Sequence, residues 1–287
     1  MAAAHDPFPL LRTLVLATAA MLAFAANSLL CRLALQHGGI DPASFGSIRL
    51  VSGAITLAVV VRLRSAPPSG RASWLAAAML FAYVAFFSFA YVSLPAGTGA
   101  LILFGAVQVT MLGAGLRAGE RFGPAGWFGL VLAIAGLAYL VSPGIAAPPL
   151  LGAAWMAIAG VAWGVYSLLG RGVADPLAAT ARNFVRAAPF ALVLSIVFAA
   201  GAHADRAGIA LAIASGALSS GIGYVIWYAA LPRLSAMRAA TLQLSVPLIA
   251  AFGGVLFLSE AITPRLAVAC VMILGGIALV LTGKART

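Results

Sequence analysis

Ten apolar runs, separated by short stretches that hold Arg, Gly, Pro and Asp, account for nearly the whole chain. Their limits read as 11–33, 43–62, 72–93, 98–116, 124–142, 151–170, 178–200, 207–231, 236–258 and 264–282. Each has about the 17–25 residues that a helix needs to cross a bilayer. Ala, Leu, Val and Ile satisfy the lipid, and a helix pairs its own backbone groups where no water reaches. The pattern therefore predicts an all-α integral membrane protein of ten transmembrane helices. The connecting segments are short, so they leave no soluble domain in which separate chemistry could reside.

Composition supports the same reading. Apolar residues make up 63% of the chain and charged residues 8%, against roughly 25% charged in an ordinary soluble domain. The net charge of +11 would suggest nucleic acid only if the basic residues clustered on one face. Here they stand one to three at a time between apolar runs, so no nucleic-acid partner is expected. Cys31 and Cys270 fall inside predicted helices as small apolar groups, with no spacing for a metal or redox pair.

Three passages occur twice in the same order. Ser28-Leu29-Leu30-Cys31-Arg32 returns as Ser167-Leu168-Leu169-Gly170-Arg171, and Tyr91-Val92-Ser93-Leu94-Pro95 as Tyr228-Ala229-Ala230-Leu231-Pro232. Glu120-Arg121-Phe122-Gly123-Pro124 returns as Glu260-Ala261-Ile262-Thr263-Pro264. The offsets are 139, 137 and 140 residues, so the chain reads as two copies of one half. The first repeat covers 11–142 and the second 151–282, with an outer linker at 143–150, an N-terminal segment 1–10 and a tail 283–287. The first span resembles a signal peptide, with Arg12 before an apolar run and Ala23-Phe24-Ala25 like a cleavage site. Its end carries a recurring passage, however, so it belongs to the body.

Loop charges predict the orientation. With the N-terminus inside, the cytoplasmic segments hold Arg12, Arg62, Arg64, Arg71, Arg117, Arg121, Arg171, Arg233, Arg238, Lys284 and Arg286. The outer loops hold Arg206, and Arg265 starts the last span from that side. This bias predicts cytoplasmic termini. Five spans per half make the two copies run through the membrane in opposite senses, a plan of secondary transporters with substrate held near the midplane.

Ten spans in a five-plus-five inverted repeat, with a Glu-x-x-x-Pro hinge and a Gly-rich fifth span in each half, resemble the drug/metabolite transporter superfamily in its EamA-type branch. The residues that carry the resemblance are Leu94-Pro95, Glu120, Pro124 and Ala135-Gly136-Leu137-Ala138 in the first half. In the second half they are Leu231-Pro232, Pro247, Glu260, Pro264 and Gly275-Gly276-Ile277-Ala278. The resemblance implies a multi-pass transporter of the bacterial cytoplasmic (inner) membrane. Members of this family export amino acids and related metabolites, and aromatic amino-acid exporters of the YddG type are one branch. The related small multidrug transporters use a Glu embedded in their first helix, whereas neither span one nor span six has an acid here.

All six acidic residues (Asp6, Asp41, Glu120, Asp175, Asp205 and Glu260) lie at helix ends or in loops, away from the depth where a proton relay would want one. Glu120 and Glu260 each stand just before a helix that begins at Pro, where a negative charge favours the positive helix end. Mid-membrane polar residues are few. Asn27, Gln108 and Gln243 are candidates to hydrogen-bond a substrate in a cavity, or to bond one helix to the next. Pro247 should kink its helix one turn after Gln243, making it a hinge candidate. Tyr83, Trp163, Tyr166 and Tyr224 are candidate cavity walls, with packing between helices the alternative. Tyr83 and Trp163 lie about ten residues, roughly 15 Å, from a helix end, too deep for interfacial anchoring. Arg49, Arg182 and Arg186 lie one or two turns inside spans two and seven. They are expected to snorkel to the nearer surface, the alternative being a contact with a substrate carboxylate.

The expected function is a secondary transporter, an exporter of a small metabolite. An amino acid is the first candidate, with aromatic amino acids foremost, moved by alternating access without tight proton coupling. A multidrug or lipid-carrier translocase on the same fold is the alternative. No enzyme chemistry is expected, because His5, His37 and His203 lie outside the spans and no acid pair exists at depth. Neither a cofactor nor a metal is expected. The expected partners are a small-molecule substrate and the lipid bilayer, with the protein a monomer or weak homodimer.

Overall fold

A computed structural model describes residues 9–64, 73–234 and 236–282. His5, Asp6, Arg71, Lys284 and Arg286, used above, lie outside the described residues. The described residues are mainly helical, and among them are ten helices long and apolar enough to cross a membrane. They begin with α1 (Pro9–Leu35), α2 (Pro42–Arg62), α3 (Trp74–Tyr91), α4 (Ala96–Arg117) and α5 (Pro124–Val141). The second half starts with α6 (Leu150–Leu169) and α7 (Pro176–Val197). Span eight is composite: α8 (Arg206–Ala214), a π-helical segment (Ser215–Ile222) and α9 (Gly223–Ala230). Span nine joins α10 (Ala236–Gln243) to α11 (Ser245–Leu258), and α12 (Pro264–Thr282) closes the chain.

Helix starts follow local chemistry. Asp41 and Asp175 each precede a proline and accept a hydrogen bond from the backbone N–H three residues on, so that side chain and ring together set the first turn. Pro247 sits on the third residue of α11, and the helix breaks at Leu244, between that proline and Gln243.

The packing obeys the duplication. Equivalent spans meet: α2 packs on α7, α4 on α11 and α5 on α12. Other large contacts come in related pairs, α3 on α6 with α1 on α9, and α4 on α6 with α1 on α11. Because each half has an odd number of spans, this pairing relates two copies of opposite direction. The fifth and tenth spans stand at the rim, where Phe128, Val131 and Val271 are exposed as lipid requires. They cross closely, since a Cβ on Gly136 would come within 2.8 Å of Met272, the close approach that small residues permit between membrane helices. At the centre α4 is buried without interruption from Ala96 to Gln108.

The two ends of the bundle differ. The helix ends at Arg62, Trp74, Arg117, Pro124, Leu169 and Pro176 and the start of span nine lie on one face, together with the described ends of the chain, and the remaining helix ends lie opposite. On that opposite face the structure is sealed. Arg32 Nε donates to Glu260 Oε1 at 3.3 Å, and Arg32 Nη1 donates to the carbonyls of Tyr91 and Val92 at 3.0 Å. Glu260 Oε2 accepts from the backbone N–H of Ala96 at 2.8 Å. The carboxylate therefore serves the start of α4, not the start of its own following helix as the sequence suggested. The reason is the glycine at position 254, over which the carboxylate folds: a Cβ there would stand 2.5 Å from Glu260 Oε2.

Candidate functional site

A cavity of about 990 Å³ lies between the halves and draws its walls from both. Its mouth carries Ser73, Glu120, Arg171, Gly172 and Leu281, all on the face that holds the described chain ends. Its inner part carries Asn27, Arg49, Tyr83, Phe87, Ser220 and Tyr224.

Each proposed wall and polar residue from the sequence, namely Asn27, Tyr83, Gln108, Trp163, Tyr166, Tyr224 and Gln243, lines this one cavity. Pro247 is buried in α11 and does not line it. The aromatic side chains form a continuous cluster. Trp163 is the hub, with ring centroids 4.7 Å from Tyr83, 5.4 Å from Tyr166 and 5.8 Å from Tyr224. Such tilted and offset contacts hold rings more firmly than area alone. Tyr166 donates its hydroxyl to Thr180 Oγ1 at 3.2 Å, and Thr180 shares a hydrogen bond with Tyr228 at 2.9 Å. The phenols thus find the polar partners that burial demands.

Arg49 departs from expectation. It does not snorkel: only 2% of it is exposed. Its Nη2 donates to Tyr83 Oη at 2.9 Å and its Nε to Ser220 Oγ at 3.2 Å. Its guanidinium carbon lies 5.2 Å and 4.8 Å from the ring centres of Tyr83 and Phe87, a cation–π setting. The backbone arrangement that draws it inward comes from the π segment. A side chain on Gly216 would strike Ser52 and the backbone of Arg49, so glycine lets span eight lie directly on α2 at this level. The wider π turn then presents Ser215 and Ser220 together, and both donate to Asn27 Oδ1, at 2.9 and 3.3 Å. π segments are rare and concentrate at functional sites.

The cavity is also lined by Phe24, Thr180, Asn183 and Ser220, which the sequence reading missed, and by Arg49, for which it preferred the surface. Arg49 carried a usable signal. It lies seven residues past the start of α2, roughly 10 Å deep at 1.5 Å per residue. The Gly/Ser-rich stretch 215–223 likewise marked span eight as irregular.

The EamA-like transporter family matches residues 11–142 and again 150–282. An uncharacterised protein of Pseudomonas aeruginosa is 55% identical over 274 residues, covering 95% of this chain and 96% of that protein. A solved crystal structure resembles the fold with a TM-score of 0.67 at 20% identity, covering 96% of this chain and 99% of its own. With nearly the whole length matched in two successive copies, the chain belongs to the EamA-like transporter family, multi-pass membrane transporters rather than enzymes.

Proposed function

We propose that the protein exports a small amphiphilic metabolite across the bacterial cytoplasmic membrane by alternating access. An amino acid is the first candidate and an aromatic one the leading choice. One observation carries this reading: a central cavity with aromatic walls opens at one face and is sealed at the other by a contact whose duplicate stands at the open mouth. Arg32 and Glu260 make the seal. Their repeat equivalents, Arg171 and Glu120, both line the mouth. Glu120 has the posture of Glu260. Its backbone N–H bonds back to Gly115 at 3.0 Å, as that of Glu260 does to Gly254 at 3.1 Å, and each carboxylate folds over its glycine. In the alternate state Arg171 closes on Glu120 while Arg32 leaves Glu260.

The arginine-rich open face is the cytoplasmic one on this reading, which makes the present conformation inward-open and ready to load cargo for export. The cavity size suits a small metabolite. The acids at Asp41, Asp175, Asp205, Glu120 and Glu260 stand at helix ends, so transport runs down a gradient or by exchange, without a buried proton relay. Counterflow in proteoliposomes tests this. Vesicles loaded with unlabelled tryptophan should accumulate labelled tryptophan above empty liposomes, with or without a pH gradient. Failure by folded protein, across tryptophan and a panel of other amino acids, would remove the amino-acid reading.

A further inference from the structure

We propose that Arg49 is the carboxylate anchor of the cavity, so that the cargo must carry an anionic acid group while its amine is dispensable. This rests on the central-cavity reading above and names the chemical class that the cavity takes.

The argument begins with charge. A guanidinium that is 2% exposed has left water almost completely, at a cost of several kcal/mol per ion. Buried charges are ordinarily matched by an opposite one. Among the described residues no carboxylate lies within ion-pairing distance of Arg49, whereas Arg32 pairs with Glu260 and Arg64 with Asp175. Two neutral hydroxyls and two ring faces offset part of that cost. One group is left over: Arg49 Nη1 is buried with no hydrogen-bond partner in the protein. An unmet donor on a buried cation, in the wall of a cavity, is what a carboxylate would complete. Arg is also the side chain whose donor fork fits that group.

The reverse test of the same wall gives the second half of the inference. A cationic amine would want an acid, and among the described residues the one acid that lines the cavity is Glu120, at the mouth. Near the inner end the acceptors are neutral. Asn27 Oδ1 already accepts from two serines, and the buried Oδ1 of Asn183 is the one without a partner. An ammonium is therefore tolerated there but not charge-matched, and a hydroxyl or ring N–H would serve Asn183 equally well. The class that fits is a monocarboxylate with an aromatic or branched apolar body, amino acids and their deaminated analogues included. Amides and amines lacking the acid are excluded.

The experiment measures thermal stabilisation and competition for counterflow with the full-length protein, using matched pairs. Tryptophan is compared with tryptophanamide and tryptamine, indole-3-propionate with its amide, and leucine and isovalerate with theirs. Each acid should bind at least about tenfold more tightly than its amide, the loss expected when a buried charged partner goes unmatched. Indole-3-propionate should compete as well as tryptophan. Arg49→Gln should abolish the acid-over-amide preference and Arg49→Lys should restore part of it, both checked for folding by size-exclusion chromatography. The wild-type series decides the matter even if the variants do not fold. Amides binding as well as acids would overturn the anchor and leave the aromatic cavity standing. Aliphatic acids binding in preference to indoles would keep the anchor and overturn the aromatic cargo. No binding by any pair would overturn both.

Discussion

Arg32 and Glu260 meet at 3.3 Å across 228 residues of sequence, tying the end of the first helix to the loop before the last. Their side chains are 19% and 13% exposed, enclosed enough for the pair to count and open enough to part. The contact joins the two halves on the sealed face. Its sequence duplicates, Arg171 and Glu120, line the open mouth, and in the proposed cycle they form the second latch.

Breaking the sealed latch should open that face. Arg32→Gln removes a charge-assisted contact, discounted for partial exposure to on the order of 1–2 kcal/mol, a five- to thirtyfold change in the equilibrium. Native Cys31 is a built-in reporter, because it is fully buried beside the latch. In a Cys270→Ala background, maleimide labelling of Cys31 should accelerate five- to thirtyfold in Arg32→Gln or Glu260→Gln. Arg171→Gln should slow it instead. Equal rates in all three proteins would sink the latch assignment.

Trp163 holds the aromatic wall together, so Trp163→Ala should weaken an aromatic cargo by the value of a buried large side chain, about 1.5–3 kcal/mol. That is roughly ten- to a hundredfold in Kd. Gln108→Ala should act in the same direction with a smaller effect, since it removes one neutral hydrogen bond, about 0.5–1.5 kcal/mol. Titration of purified variants with labelled tryptophan measures both. Unchanged affinity in folded Trp163→Ala would place the cargo elsewhere.

The spans and their inverted duplication were legible because lipid imposes a length and a polarity on every crossing helix, leaving a one-dimensional signal. The depth argument that picked out Tyr83 and Trp163 uses the same signal, since distance along a helix is distance into the membrane, and both side chains line the cavity. Arg49 was misread for a physical reason: a long cationic side chain can reach a surface from that depth or be held inside, and a neighbouring helix decides. The neighbour here is the π segment, whose Gly216 and Ser220 act only once span eight lies on α2. Glu260 was misread likewise. Its position before Pro264 was visible, but the helix end that it serves, at Ala96, is set by tertiary packing.

The rim pair offers a test of fold apart from function. Gly129 of α5 lies against α12, where an added Cβ would stand 2.8 Å from Leu279 and 3.0 Å from the backbone nitrogen of Val280. Gly129→Leu should destabilise the protein by about 1–3 kcal/mol through overpacking, seen as a lower Tm in detergent. No residue of α5 lines the cavity, so the folded fraction should keep its substrate affinity. A loss of affinity at unchanged Tm would mean that the fifth span reaches the cavity.

Stability should also depend on pH through Asp41, which closes the sealed face from the other side. Its carboxylate accepts from the backbone N–H of Ser44 at 2.9 Å and of His203 at 3.0 Å, pinning the start of α2 to the segment between α7 and α8. Burial pushes its carboxyl up, but hydrogen bonds from Ser44, His203 and Ala43 together outweigh that and hold it below its ordinary value. A carboxyl lowered in the folded state contributes stability above its unfolded pKa and loses it as pH falls through the folded value. Asp41→Ala should therefore lower Tm near pH 7 by the equivalent of about 1 kcal/mol, the usual value of such a cap. The gap between wild type and variant should narrow as pH drops below about 4. A gap that stays constant down to pH 3 would show that the aspartate acts by shape and not by charge.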